Sequence, residues 1–184
     1  MNKKVILGIV IAVVVVALVV VGILVFGSAN SAPVVPIATE EEVLKVAEDV
    51  YSKIDMNEMP MLDTQVMDLS DAEMVKMFTG LSDASKVEFA VLSQPMMGSQ
   101  AYSMLLVKVK EGQDVDVIKK EMVDNIDVRR WICVAAEKVL ATNHSDLICL
   151  VMADEDRATN VYNAFKEVVQ NKVGTELTRV GEAQ

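Results

Sequence analysis

The sequence predicts an α+β fold in which an N-terminal transmembrane helix precedes a four-stranded, mostly antiparallel sheet with helices packed on it. Three observations support this prediction. An uncharged apolar run fills residues 5–26. Later segments alternate between apolar and polar residues, or are apolar throughout, as β-strands are. Between them, other segments place apolar residues three and four positions apart and begin at Thr, Ser or Asp, as amphipathic helices do.

The apolar run predicts a membrane anchor. As a helix, its 22 residues would reach about 33 Å, enough to cross a hydrocarbon core of about 30 Å. The apolar region of a secretory signal is shorter, about 7–15 residues, so an uncleaved anchor is favoured, although small residues around Ala29 also fit a cleavage site. Lys3 and Lys4 precede the run and the next cation is Lys45, which predicts a cytoplasmic tail at residues 1–4 and an extracytoplasmic remainder.

Composition divides the remainder into three parts. Pro33, Pro36 and neighbouring small residues predict a flexible linker at residues 27–38. An extracytoplasmic α+β domain is predicted at residues 39–173, and a frayed tail at residues 174–184. The chain holds 17 Lys and Arg against 27 Asp and Glu, so its exported part is strongly acidic and excludes nucleic acid and anionic lipid headgroups as main ligands.

Helices are predicted where capping residues precede an apolar stripe. Thr39 and Glu42 form a capping-box pattern, and Ser70 with Glu73 repeats it before a short helix that ends at Gly80. Two further helices begin after an aspartate that can cap the first turn. These aspartates are Asp114 and Asp154.

Four segments predict strands. Residues 87–91 alternate, whereas residues 101–110 are apolar on both faces in their middle and should lie inside a sheet. Residues 137–142 and 147–153 flank a set of turn-forming residues. The second and fourth strands each lead through a turn into an Asp-capped helix, so we expect two strand-strand-helix units side by side, with extra N-terminal helices.

Several pieces of this arrangement match one family. They are residues 69–73 before the short helix, residues 80–82, the hairpin at residues 87–110 with its following helix, and residues 147–152 with theirs. In these pieces the chain resembles an uncharacterised family of membrane-anchored or lipoprotein-type extracytoplasmic domains of unknown function from Gram-positive bacteria. The resemblance implies a location and a fold but no activity. The lipid-anchor cysteine that members often carry is lacking.

The sequence offers no combination of residues typical of catalysis, of a cofactor site or of a metal site, so we expect none of the three. His144, the single histidine, stands in a turn beside Ser145 and Asp146, and adjacent side chains in one turn seldom converge as a triad. Zinc sites need three or four Cys or His ligands at suitable spacing, which Cys133, Cys149 and His144 do not provide. Both thiols are expected to be buried.

Two charged groups leave alternatives open. Asp124 and Asp127 could act as the carboxylates of a cell-envelope hydrolase, although solvated acids are far commoner. Arg129 and Arg130 beside Trp131 could meet an anionic group or a partner. The simpler interpretation places these cations near the negative end of a helix and the Trp in the core.

The predicted function is a membrane-anchored extracytoplasmic binding or structural module, located at the cell membrane through residues 5–26, with an envelope or membrane protein as its partner. Twelve methionines occur in the chain, and eight lie between Met56 and Met97. Because most apolar clusters are core, gap filling is the favoured role for them. The alternative hypothesis is an exposed patch that recognises the partner, formed by Met59, Met61, Met96 and Met97.

Overall fold

The helices begin at side chains that cap their first turn. In the computed structural model, which describes residues 37–181, the four helices span Glu40–Tyr51 (α1), Ala72–Thr79 (α2), Val115–Asn125 (α3) and Glu155–Val168 (α4). The capping box of Thr39 and Glu42 is present at α1. Asp114 and Asp154 accept hydrogen bonds from the first turns of α3 and α4. The predicted caps are thus confirmed. They could be predicted because capping depends on a few neighbouring residues.

The cap of α2 lies one residue later than predicted. Asp71, not Ser70, accepts from the backbone N–H groups of Glu73 and Met74. Ser70 instead binds the carboxylate of Asp68. Two potential caps stand next to each other here, and the aspartate occupies the position.

The sheet contains six strands within the described residues, so the prediction of four is wrong. The strands are Leu62–Val66 (β1), Val87–Pro95 (β2), Ser103–Val109 (β3), Lys138–His144 (β4), Leu147–Ala153 (β5) and Leu177–Val180 (β6). Their order is β1-β2-β3-β5-β4-β6, and each neighbouring pair is antiparallel. The added strands β1 and β6 form the two edges. β6 lies where the sequence predicts a frayed tail.

Helices cover both faces of the sheet. α1 and α4 pack on one face, where they meet side chains such as Met104, Leu106 and Cys149. α2 and α3 pack on the other, against Leu105, Val107 and other residues of the same strands. Alternate residues of β3 therefore enter different cores, and both kinds are fully buried. This confirms that the strand that is apolar on both faces lies inside the sheet.

The two strand-strand-helix units are present, joined through β3 and β5 at the centre. Leu105 and Leu147 both belong to strands, but their side chains enter opposite cores. α3, which follows β3, covers one face of the sheet, and α4, which follows β5, covers the other.

No helix within residues 37–181 is long and apolar enough to cross a membrane. The predicted transmembrane helix at residues 5–26 lies outside the described residues, as does the predicted cytoplasmic tail at residues 1–4. Where the described chain begins, the carbonyl of Ile37 accepts a hydrogen bond of 2.6 Å from Lys108 Nζ. Lys108 also pairs with Asp146 at 2.7 Å. The hydrogen bond from Lys108 to Ile37 thus fixes the start of the domain to the end of β3.

Candidate functional site

Three of the four predicted methionines are exposed at one end of the sheet. The exposed fractions are 76% for Met61, 65% for Met96 and 68% for Met97. Met61 directly precedes β1 and Met96 directly follows β2. The backbone N–H of Met96 donates to the carbonyl of Met61 over 2.9 Å. The antiparallel pairing of β1 with β2 thus brings together methionines that are distant in sequence.

Met59 has a different environment. It is half-buried and packs against the core shared by α1 and α4. It follows a short 3₁₀ turn at Met56–Glu58. The structure therefore gives Met59 the gap-filling role and does not place it with the exposed methionines.

An isoleucine that the sequence did not single out adjoins these methionines. Ile132 is 70% exposed, and its backbone N–H donates to the carbonyl of Gly98 over 2.8 Å. Its side chain lies beside Gly98, one residue after Met97. We call Met61, Met96, Met97 and Ile132 the methionine surface. No sequence signal pointed to Ile132, because the segment that holds it, between α3 and β4, forms neither helix nor strand.

The methionine surface lies at the opposite end of the sheet from the start of the domain. Ser93 near the end of β2 pairs with Met104 near the start of β3, so Met96 lies beyond the start of β3. Lys108, which holds Ile37, lies near the end of β3. At about 3.3 Å per residue, these points are roughly 20 Å apart along the strand. The chain enters the domain at one end and presents the methionines at the other.

Arg130 lies in a stack of aromatic rings next to this surface. Its guanidinium carbon is 4.8 Å from the ring centre of Phe78 and 4.8 Å from that of Trp131. Nη1 donates to the carbonyl of Phe78 in the last turn of α2, at 3.4 Å. Burial lowers the pKa of Arg130 to about 10, while the nearby charge of Asp127 opposes this shift. The side chain is therefore still charged at neutral pH.

Part of the simpler interpretation of this arginine is confirmed, since a cation lies at the C-terminal end of a helix, where the dipole favours it. That helix is α2, however, and not the one that precedes Arg130 in sequence. Nε and Nη2 are also buried and have no hydrogen-bond partner among the described residues. Sequence patterns cannot reveal this environment of Arg130, because Phe78 and Arg130 are distant in sequence and meet only in the tertiary fold.

The predicted hydrolase carboxylates are already engaged. Asp124 pairs with Lys120 at 2.6 Å, and Asp127 accepts the backbone N–H of Arg129 at 2.8 Å. His144 Nδ1 binds the carbonyl of Lys172 at 2.7 Å. These contacts bring none of the three together as a reactive pair or triad.

A polar groove of about 460 Å³ lies between the end of α1 and α4. Two of the acids that line it are in ion pairs: Asp154 pairs with Arg157 at 3.1 Å and Glu167 pairs with Lys53 at 3.4 Å. Across residues 37–181, every carboxyl group whose pKa departs from its ordinary value departs downward, because hydrogen-bond donors or a lysine favour the ionised form. These groups are Glu42, Asp68, Asp83, Glu121, Glu155 and Glu176. A general acid at neutral pH needs the opposite shift.

The described residues contain no group of three or more His, Cys, Asp or Glu side chains that could hold a metal ion. The chain matches no protein-family model, and comparisons with curated proteins and with solved structures gave no significant match. The resemblance to extracytoplasmic domains of Gram-positive bacteria therefore stays a prediction.

Proposed function

We propose that this protein is a membrane-anchored extracytoplasmic module that binds an envelope or membrane protein through the methionine surface. The observation that carries the proposal is the exposure of three methionines and an isoleucine side by side. An exposed apolar cluster costs a soluble domain free energy unless a partner covers it. Unbranched methionine side chains adapt to irregular partner surfaces.

The partner is a protein rather than the lipid bilayer. The acidic charge of the domain opposes contact with anionic headgroups. This charge favours a protein partner over the bilayer.

A binding role is better supported than hydrolysis. The acids Asp124, Asp127 and Asp154 are engaged in ion pairs, backbone hydrogen bonds or a helix cap. A hydrolase that acts through carboxylates requires one acid to retain its proton near neutral pH, whereas the pKa is lowered at Glu42, Asp68, Asp83, Glu121, Glu155 and Glu176.

The test replaces the three exposed methionines together with glutamine (M61Q, M96Q and M97Q) in the full-length chain. Cells carrying this variant or the unchanged protein are treated with a membrane-impermeant crosslinker before the protein is purified. We expect a defined crosslinked protein from the unchanged chain and at least a tenfold loss of it from the variant. Because the side chains are exposed, we expect the stability to change by no more than about 0.5 kcal/mol.

A matched control is available on α2. Met74 and Met77 are 42% and 49% exposed, and their joint replacement by glutamine makes the same change of side chain at another exposed surface. This control should retain the crosslinked protein. Equal recovery from the M61Q, M96Q and M97Q variant would contradict the proposal. A large fall of its melting temperature would show that the three methionines are core.

A further inference from the structure

One edge of the Arg130 guanidinium has no acceptor within residues 37–181. Nε and Nη2 are both buried without a hydrogen-bond partner among the described residues. These two nitrogens lie on the same edge of the planar group, where their N–H bonds point in parallel. Such a fork matches the two oxygens of one carboxylate.

The rest of the guanidinium is already in use. Its faces stack on Phe78 and Trp131, and Nη1 donates to the carbonyl of Phe78. The charge of Asp127 reaches Arg130, but Asp127 is exposed and accepts the backbone N–H of Arg129. In a strongly acidic chain, no acid among residues 37–181 satisfies the fork. A buried charge with unsatisfied donors destabilises a fold, so an acceptor from outside would restore free energy.

We propose that Arg130 is a binding site for a carboxylate, which reaches Nε and Nη2 when Trp131 moves aside. Trp131 is only half-buried and belongs to a segment without helix or strand between α3 and β4. A single carboxylate matches the one charge and the two donors of the fork. A phosphate carries more negative charge than this edge can neutralise, and it has a third oxygen for which the edge offers no donor.

The site adjoins the methionine surface. Ile132 is two residues from Arg130, so their Cα atoms are at most about 7 Å apart. A partner on the methionine surface could therefore supply the carboxylate, from an acidic side chain or from its C-terminus. The site can still be tested with small molecules, so its failure would leave the proposed function standing.

The experiment uses the fluorescence of Trp131, the one tryptophan of the chain. The full-length protein in a neutral detergent is titrated at constant ionic strength with N-acetylleucine, which carries a carboxylate beside an apolar side chain. N-acetylleucinamide is the neutral control. N-acetylglutamic acid α-amide presents a side-chain carboxylate, and inorganic phosphate tests the other anion.

We expect a saturable change in Trp131 emission with the carboxylate probes and no such change with N-acetylleucinamide. The relative response to the two carboxylates distinguishes a C-terminus from an acidic side chain. Absence of a response to both carboxylates, or an equal response to N-acetylleucinamide, would overturn the site. A response to phosphate as strong as to the carboxylates would overturn its assignment to carboxylate.

Two variants separate binding from a structural role. Arg130→Met should lose at least tenfold in apparent affinity for the probe, and its melting temperature should stay level or rise, because the unsatisfied donors are gone. Arg129→Met, a change at the exposed neighbour, should respond as the unchanged chain does. If Arg130→Met keeps its response, the proposal is wrong. If it unfolds, the comparison of N-acetylleucine with N-acetylleucinamide on the unchanged chain still decides.

Discussion

Lys119 is a fully buried lysine that secures the C-terminal segment. Its side chain has no solvent exposure. Nζ donates to Asp116 Oδ1 at 2.7 Å, to Asn143 Oδ1 at 2.6 Å and to the carbonyl of Thr175 at 2.7 Å. The three N–H groups of the ammonium thus meet acceptors from α3, from β4 and from the segment that leads into β6. A buried charge is tolerated when its hydrogen bonds are satisfied in this way.

Replacing Lys119 with Met should destabilise the domain by about 1 to 3 kcal/mol, because the part-buried hydrogen bonds of Nζ to Asn143 and Thr175 would be lost. Urea unfolding followed by circular dichroism measures the change. Lys120→Met is the matched control at the next position, where the pair with Asp124 is exposed, and it should cost about 0.5 kcal/mol or less. Equal losses in both variants would show that the buried network of Lys119 contributes nothing particular.

The exposure of single side chains was predicted correctly at some positions and wrongly at others. Both cysteines were expected to be buried, because cysteine commonly is. Cys149 is buried within β5, but Cys133 is exposed and adopts φ of 59° in the irregular segment after α3. Met59 and Met61 differ in the same way although they are two residues apart. Exposure at these positions depends on where the strands end, which is decided by pairing between distant segments.

The C-terminal end of α2 could be predicted from a single residue. Gly80 was expected to end α2, and it has φ of 74° there. A Cβ at this position would lie 2.7 Å from the backbone nitrogen of Ile126, so the left-handed conformation and the close packing both require glycine. Such features depend on one residue and its neighbours, so a sequence can show them.

The edge strands were not predictable from the same signals. β1 has the half-buried, alternating pattern of an edge strand, but it is short and lies in a segment of mixed Asp and Met. β6 has four residues, and neither of its faces is fully buried. Short strands that bury little carry a weak period, and their pairing is decided by the rest of the sheet. The same limit hid the place of Ile132 and of Arg130 in the candidate sites.

Removing residues 177–184 should destabilise the domain by about 2 to 4 kcal/mol, since several ladder hydrogen bonds, worth about 1 kcal/mol each, would be lost. β6 pairs with β4 along its whole length. Arg179 also donates to the carbonyls of Asp124 and Ile126. The truncated chain would expose the edge of β4, so we also expect association at high concentration. Urea unfolding and light scattering measure the two effects.

Removing residues 182–184 alone keeps β6 and should leave both measurements unchanged. If the longer truncation has no effect either, the tail is frayed, as the sequence predicted, and β6 adds nothing to the sheet.

At the scale of the whole molecule, helices cover both faces of the sheet, and the methionine surface lies at one of its ends. The two cores meet only through the sheet, since alternate residues of β3 and β5 enter one or the other. Lys108 fixes the start of the domain near one end of β3. The methionine surface is at the other end. The chain therefore enters the domain at one end of the sheet, and the proposed partner surface lies at the other.

The proposed orientation can be tested on cells from which the wall has been removed. The proposed anchor at residues 5–26 has two lysines before it and no cation after it until Lys45, so the domain should lie outside and stay attached. Added protease should cleave the chain first near residues 27–36, since linkers rich in Pro, Gly and Ser are accessible. A fragment that contains the described domain should then appear in the medium, while a cytoplasmic marker protein stays intact.

A Lys3→Glu and Lys4→Glu variant should weaken this orientation and increase the fraction of the chain that is protected from the protease. Complete protection of the unchanged chain would place the domain inside, and release of all of it without protease would show a cleaved signal instead of an anchor.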